Sequence, residues 1–250
     1  MRATLYGAAA VSLLTVSVAF GADLAVPPAL PPSAPPPFTW TSCYAGGNVA
    51  GGFGQKDLND TAGILSPNTG LTSANLDIAG YLLGGQVGCD YQFASSWILG
   101  IEGAAAGGDI GGNTTVAVPL LAPGDTATFK DTTDFLSSVT ARAGFAWDRW
   151  MLYGKGGVGF VNDRYNLADA FGTYNFDGVE TRLGWTAGAG VEWALWDDWS
   201  VKLEYDYYDF GTRNVTFIEE NAAFPSGSEN IKQTIQTIKL GLNFHVSAWP

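Results

Sequence analysis

The stretch WSVKLEYDYYDF, residues 199–210, alternates with a period of two. Trp199, Val201, Leu203, Tyr205 and Tyr207 share one face, and Ser200, Lys202, Glu204 and Asp206 share the other. Side chains point to opposite sides along a strand, whereas a helix needs apolar residues every three or four positions. The same alternation recurs in LSSVTARAGFAW (136–147), TRLGWTAGAGVEW (181–193) and IKLGLNF (238–244). Weaker versions occupy 43–54, 80–93, 97–107 and 150–160. The pattern predicts eight strands of roughly ten residues, the length that crosses a bilayer at a tilt.

The expected connections alternate in length. Short ones fall near 94–96, 148–149 and 196–198, and long polar ones near 55–77, 109–132, 165–178 and 213–232. A chain that runs short, long, short, long is an up-and-down meander. Bacterial outer-membrane barrels have this asymmetry, with tight periplasmic turns and long outer loops.

One face of the expected strands carries Glu102, Arg142, Lys155, Arg182, Glu192, Lys202, Glu204 and Lys239, and the other is aliphatic and aromatic. In a soluble sandwich the charged face would meet water, and in a membrane barrel it would line the lumen. Alternation alone does not separate the two, but tryptophan placement does. Trp97, Trp147, Trp150, Trp193, Trp196 and Trp199 flank the short turns, Trp40 and Trp249 lie at the chain ends of the barrel, and only Trp185 is mid-strand. A soluble core would hold indoles centrally, whereas a membrane interface collects them at a rim. Phe53, Tyr81, Phe160, Tyr165, Tyr207 and Phe210 would form the opposite girdle. The reading is an all-β, eight-stranded antiparallel transmembrane β-barrel with short periplasmic turns and four long extracellular loops.

Residues 1–21 read as a signal peptide. Arg2 supplies the positive end, Ala8 to Phe20 the apolar core, and Ala19 and Gly21 the small residues before a cut at Ala22. A membrane anchor is the competing reading. PPALPPSAPPP (27–37) places an extended periplasmic linker at 22–38, ahead of a barrel at 39–250. The 250 residues are only 14% charged, include 33 glycines and carry a formal charge of −12. Without residues 1–21, which hold one Arg and no acid, the charge is −13. Nucleic acid is excluded as a partner, because binding phosphate needs Lys and Arg to displace counterions.

FTWTSCYAGGNVAGGFG, GGQVGCDYQF, WILGIEG, ARAGFAWDRWMLYGKGGVGF and TAGAGVEWAL resemble the small OmpA-like outer-membrane proteins of alphaproteobacteria. That family includes the 25- and 31-kilodalton surface proteins and RopB-type proteins, and its members are often labelled porins. The resemblance covers roughly residues 38–246 and extends to the proline-rich leader. It implies an eight-stranded barrel in the outer membrane, inserted by the barrel-assembly machinery, with a role in envelope integrity or host contact. The chain departs from the family at its end: Phe244 fits the usual closing aromatic residue, but HVSAWP follows.

Candidate chemistry is sparse. GKGGVG (154–159) matches a dinucleotide-binding spacing, but no helical period follows to meet a pyrophosphate. As barrel strand, Gly157 and Gly159 would face inward and Gly154 and Gly156 outward. Gly46 to Gly51 has P-loop spacing without the Lys-Ser/Thr pair. His245 is the only histidine, and one His with two Cys does not close a four-ligand zinc site. No cofactor or metal is expected. A lipid-modifying enzyme would need a nucleophile, base and acid, and nothing in the sequence marks them.

The inward charges suit either a plug or a narrow diffusion pore, since eight strands leave room only for side chains. Arg142 and Lys155 should face each other across the turn at 148–149, with Glu102 as their acid, and Glu192 should face Lys202. The expected loops hold Asp57, Asp60, Asp109, Asp125, Asp131, Glu219, Glu220 and Glu229. These suit a solvated surface or cation-bridged contact with lipopolysaccharide or a host ligand.

Cys43 and Cys89 have outward parity on the first two strands. If Gly54 pairs with Ile78, the same register sets Cys43 opposite Cys89. Direct cross-strand neighbours lie close enough for a disulfide in the oxidising periplasm.

Overall fold

The computed structural model describes residues 38–59, 73–94, 96–117, 126–169, 175–217 and 227–246. These form eight strands: β1 (Ser42–Asn59), β2 (Ser73–Phe93), β3 (Trp97–Ala117), β4 (Thr126–Trp147), β5 (Trp150–Asp169), β6 (Asn175–Ala194), β7 (Trp199–Phe217) and β8 (Gly227–Val246). Each is antiparallel to its sequence neighbours, and β8 returns to β1, closing the barrel. This is the meander that the alternation predicts.

The strands are about twice as long as the periodicity indicates, at 18–22 residues. Much of what reads as loop is therefore strand, and Asp57, Asp109, Asp131 and Glu229 lie on β1, β3, β4 and β8. Asp60, Asp125, Glu219 and Glu220 fall outside the described residues. Apolar-out alternation is a requirement of lipid, so it ends where lipid ends. Backbone pairing needs no apolar face and continues beyond it.

Position of the last shared rungs differs around the ring. Pairing of β6 with β7 stops at Trp185–Asp209, although β6 continues to Asn175 on its β5 side and β7 to Phe217 on its β8 side. Pairing of β2 with β3 stops at Ala79–Gly111, although β2 continues beside β1 and β3 beside β4. These two seams are four strands apart. Beyond them the wall parts into two four-stranded sheets, β3–β6 and β7–β8–β1–β2. A local cause is visible on β7. The register with β8 shifts between Asp209 and Thr212, Gly211 adopts φ 66°, and the Asp209 carboxylate accepts the Gly211 N–H at 2.8 Å. This bulge bends β7 where it leaves β6.

Exposure follows the predicted parity. Leu99, Ile101, Leu152, Leu203, Leu240 and Leu242 face outward, while Ser200, Lys202, Glu204 and Asp206 are buried inside. Trp97, Trp147, Trp150, Trp193, Trp196 and Trp199 are exposed around the short-turn end. Trp150 stacks on Trp193 at 5.3 Å, and Trp199 meets Phe244 edge-on at 5.1 Å. Phe53, Tyr81 and Phe160 are exposed near the other rim.

Trp185 belongs with that second girdle. It is eight residues beyond Trp193, or ~20 Å along the barrel at the usual rise and tilt. Its ring lies 5.5 Å from that of Tyr207. Phe210 does not join the girdle: its even number puts it with Tyr208 on the lumen side, where it is buried. The side chain of Tyr165, and Trp249, lie outside the described residues.

Cys43 and Cys89 are opposite each other on the β1–β2 register and form a disulfide across 46 residues. The GKGGVG segment is plain strand. A side chain at Gly159 would press on the Tyr208 ring inside the barrel, while Gly154 and Gly156 are exposed outside.

Candidate functional site in the barrel lumen

The barrel interior is filled in layers. At the short-turn end, Trp40, Ile98, Ala146, Met151, Tyr153 and Ala194 form an apolar cluster, with Phe38 packed against it. The rim expected for Trp40 is not where it sits: it is buried inside the mouth. The segment just before β1 is tied to the end of β2. The Trp40 N–H donates to Gln92 Oε1 at 2.8 Å, and the Gln92 N–H donates to Thr41 Oγ1 at 3.0 Å. The indole then turns upward, 5.9 Å from the His245 ring.

Above it lies a dense charge layer. Arg142 reaches Glu192 at 2.8 Å, Glu102 at 3.3 Å and Asp90 at 3.4 Å. Its guanidinium stacks over the Tyr153 ring at 4.1 Å and donates to the Tyr44 hydroxyl, which donates to Glu102 at 2.7 Å. Lys155 binds Glu204 at 2.5 Å, Asp206 at 3.2 Å and Glu102 at 3.3 Å. Lys202 binds Glu102 at 2.6 Å and Glu204 at 3.3 Å. Lys239 binds Glu204 at 3.0 Å and also Asp206. These side chains are nearly inaccessible. A buried charge is tolerable only when paired, and here Arg142, Lys155, Lys202, Lys239, Glu102, Glu204 and Asp206 are each shared among several partners, while Asp90 is held by Arg142.

Arg142 and Lys155 are opposite each other on β4 and β5, as are Glu192 and Lys202 on β6 and β7. Neither facing pair is closed along its own rung, although Glu204 and Lys239 are on β7 and β8; Glu192 and Lys202 are held across the lumen instead. Glu192 goes to Arg142, and Lys202 goes to Glu102. Arg182 is not part of this layer. It sits higher, 3.8 Å from Asp163 and 3.2 Å from Glu180, and donates to the Ile231 carbonyl at 3.2 Å. Asp163 also holds Lys56 at 3.2 Å and accepts from Thr133 and Gln233. Between the two charged layers lies a second apolar one that includes Ala50, Ile78, Leu82, Ile110, Leu136, Val161, Tyr208, Phe210 and Ile235. A lumen cavity beside Asn48, Leu82 and Lys239 has a volume of about 10 Å³, room for one water.

Asp90, Asp206, Tyr44, Tyr153, Lys56 and Asp163 were not singled out from the sequence as network residues. Parity marks the first four: Asp90 follows the outward Cys89, and Asp206 shares a face with Glu204. Lys56 and Asp163 lie where apolar alternation has already faded.

A hydrolase arrangement is absent around His245. Ser200 Oγ is 2.7 Å from Nε2 and donates to Glu192 Oε1 at 2.5 Å, while Nδ1 lies 2.9 Å from Ser42 Oγ. Glu192 is 3.6 Å from Nε2, the same nitrogen that meets the serine. In a catalytic triad the acid holds the opposite nitrogen. Ser200 is also wholly buried.

Residues 12–244 match the family model described as outer membrane protein beta-barrel domain. The chain belongs to this outer-membrane barrel family. It is 31% identical over 243 residues to the 31 kDa outer-membrane immunogenic proteins of Brucella melitensis and Brucella suis, covering 94% of this chain and 97% of theirs. Among solved structures it is similar in fold to the outer membrane protein OprG from Pseudomonas aeruginosa, with a TM-score of 0.53 and 13% identity, over 85% of this chain and 99% of that one. Family membership and the lipid-facing belt together place the protein in the outer membrane. The aliphatic wall is its lipid contact, and the short turns face the periplasm.

Proposed function

We propose that this family member is a closed outer-membrane scaffold that supports envelope integrity and presents its long-loop end for contact at the cell surface. The observation that carries this reading is the layered lumen. Two apolar and two charged layers stand in series along the axis, and in the lower charged layer Arg142, Lys155, Lys202, Lys239, Glu102 and Glu204 are each held by more than one partner. An ion passing through would have to break several buried pairs at once. The small porin is the competing reading, and nothing in the lumen favours it. The lipid-modifying enzyme is not favoured either, given the geometry at His245.

The leader fits a signal peptide at 1–21 and a periplasmic linker at 22–38, with the barrel over 39–250. Insertion would fall to the barrel-assembly machinery, and the outer end would meet lipopolysaccharide and any host ligand. The test is conductance in planar bilayers with protein refolded from detergent. The expected result is no steady channel. A large, lasting conductance would overturn the reading.

A further inference from the structure

The seam between β6 and β7 has a feature that a sealed barrel does not require. Above Trp185, no described strand pairs with β6 on its β7 side, while its β5 side stays paired up to Asn175. Gly184 still lies against the Asp209 carbonyl and the Phe210 backbone, so the seam opens just beyond it. A strand edge presents a row of backbone donors and acceptors at every second residue. Inside hydrocarbon such a row would cost several kcal/mol per group. Trp185 and Tyr207 mark the upper aromatic girdle, so the open edge begins where lipid ends. There, among the described residues, no strand pairs with it.

We propose that the β6 edge over Gly178–Thr181 is a docking site for an extended peptide, which adds as a strand through its backbone. This rests on the surface-contact reading above and names the class of partner. Extended backbone is the chemistry that matches a free ladder. Glu180 on this segment is 3.2 Å from Arg182, and the chain as a whole is acidic, with a formal charge of −12, which favours a peptide carrying lysine. A second copy of the chain fits less well. Two barrels in one membrane run their β6 strands in the same direction, so a two-fold pair would be parallel, the weaker ladder. Pairing β6 of one copy with β7 of the next would be antiparallel but would not close as a two-fold pair.

The probe is a labelled peptide of alternating threonine and valine with lysine at both ends, added to the whole protein in nanodiscs. Its control carries proline at alternate positions. The expected result is binding that the control loses by at least tenfold. Single prolines at Gly178, Val179, Glu180 and Thr181 should then show a period of two. At alternate positions probe binding falls tenfold while the barrel melts as before. At the positions between, the β5 ladder is hit and melting drops. Amide exchange gives an independent readout: every second amide across 178–181 should exchange fast and become protected by the probe.

Protection of all four amides without the probe would overturn the proposal, as would binding that ignores the prolines. A protein that is silent in bilayers yet ignores the probe loses the edge site and keeps the scaffold reading. A conducting protein loses the scaffold reading, and the edge proposal goes with it.

Discussion

The two halves of β6 have the same backbone and different neighbours. From Trp185 to Trp193 the strand is paired on both sides, and from Asn175 to Gly184 a partner strand runs along one side. The lower half is where apolar residues face out and the aromatic girdles stand. The difference teaches that the membrane, not the sheet, enforces closure. Lipid offers no hydrogen bonds, so each rung within it must be satisfied by a neighbouring strand. Above the girdle water can do so, and the wall parts at two seams.

The largest effect expected from this contrast comes from proline in the lower half. Ala187 is paired with Gly156 on one side and Tyr207 on the other. Ala187→Pro removes a donor inside hydrocarbon and strands the facing carbonyl, at a cost of several kcal/mol. No barrel should assemble, which a gel of boiled and unboiled samples would reveal as a single band position. A folded, heat-modifiable Ala187→Pro protein would contradict the account of closure.

The lumen repeats the contrast in another form. Arg142 is the cation that holds Asp90 and Glu192 and one of three around Glu102, so Arg142→Ala leaves three acids short of a partner in a dry layer. The expected loss is about 4–5 kcal/mol, the upper part of the range for breaking a buried pair. The urea midpoint for unfolding in detergent measures it, and Arg142→Lys should recover part of the loss by restoring charge without the fork. An Arg142→Ala midpoint equal to wild type would mean that the layer is hydrated rather than dry.

Cys43→Ser probes the wall instead of the filling. The bridge closes a loop of 46 residues, worth about 4 kcal/mol in the chain-entropy model. The β1–β2 rungs hold the same register without it, so the folded barrel should be unchanged and the loss should act through the unfolded chain. Denatured, unreduced wild type should show no reactive thiol. A titration that finds two would remove the bridge altogether.

How much of this was legible in sequence depends on which solvent wrote the pattern. The membrane-crossing segments were readable, because lipid demands apolar residues at alternate positions. The Trp belt was readable because indoles collect at an interface. Cys43 and Cys89 were readable because one register assumption propagates along a whole hairpin. The upper halves of the strands were not, since Lys56, Asp163 and Asn230 sit in polar segments whose pairing leaves no periodic mark. Arg182 has the right parity for the lumen network but the wrong height, and parity carries no information about height. Trp40 was misread because it precedes the first strand, where alternation gives no direction at all.

The smallest effect belongs to the periplasmic turns. Arg149 holds Asp197 at 2.9 Å across two turns, and the two side chains are 38% and 83% exposed. Geometrically this pair matches Arg142 with Glu192, also 2.8–2.9 Å apart. The solvent around it is different, and water with salt weakens an exposed pair to roughly 0–1 kcal/mol. Arg149→Ala also takes the guanidinium from above the Phe38 ring, 5.4 Å away. That contact adds at most ~1 kcal/mol at an exposed site. The urea midpoint should therefore shift by no more than about half of the Arg142→Ala shift, and whatever shift remains should shrink as salt rises. A shift as large as that of Arg142→Ala, and insensitive to salt, would mean that the turns belong to the interior cluster around Trp40 and are not a solvated rim.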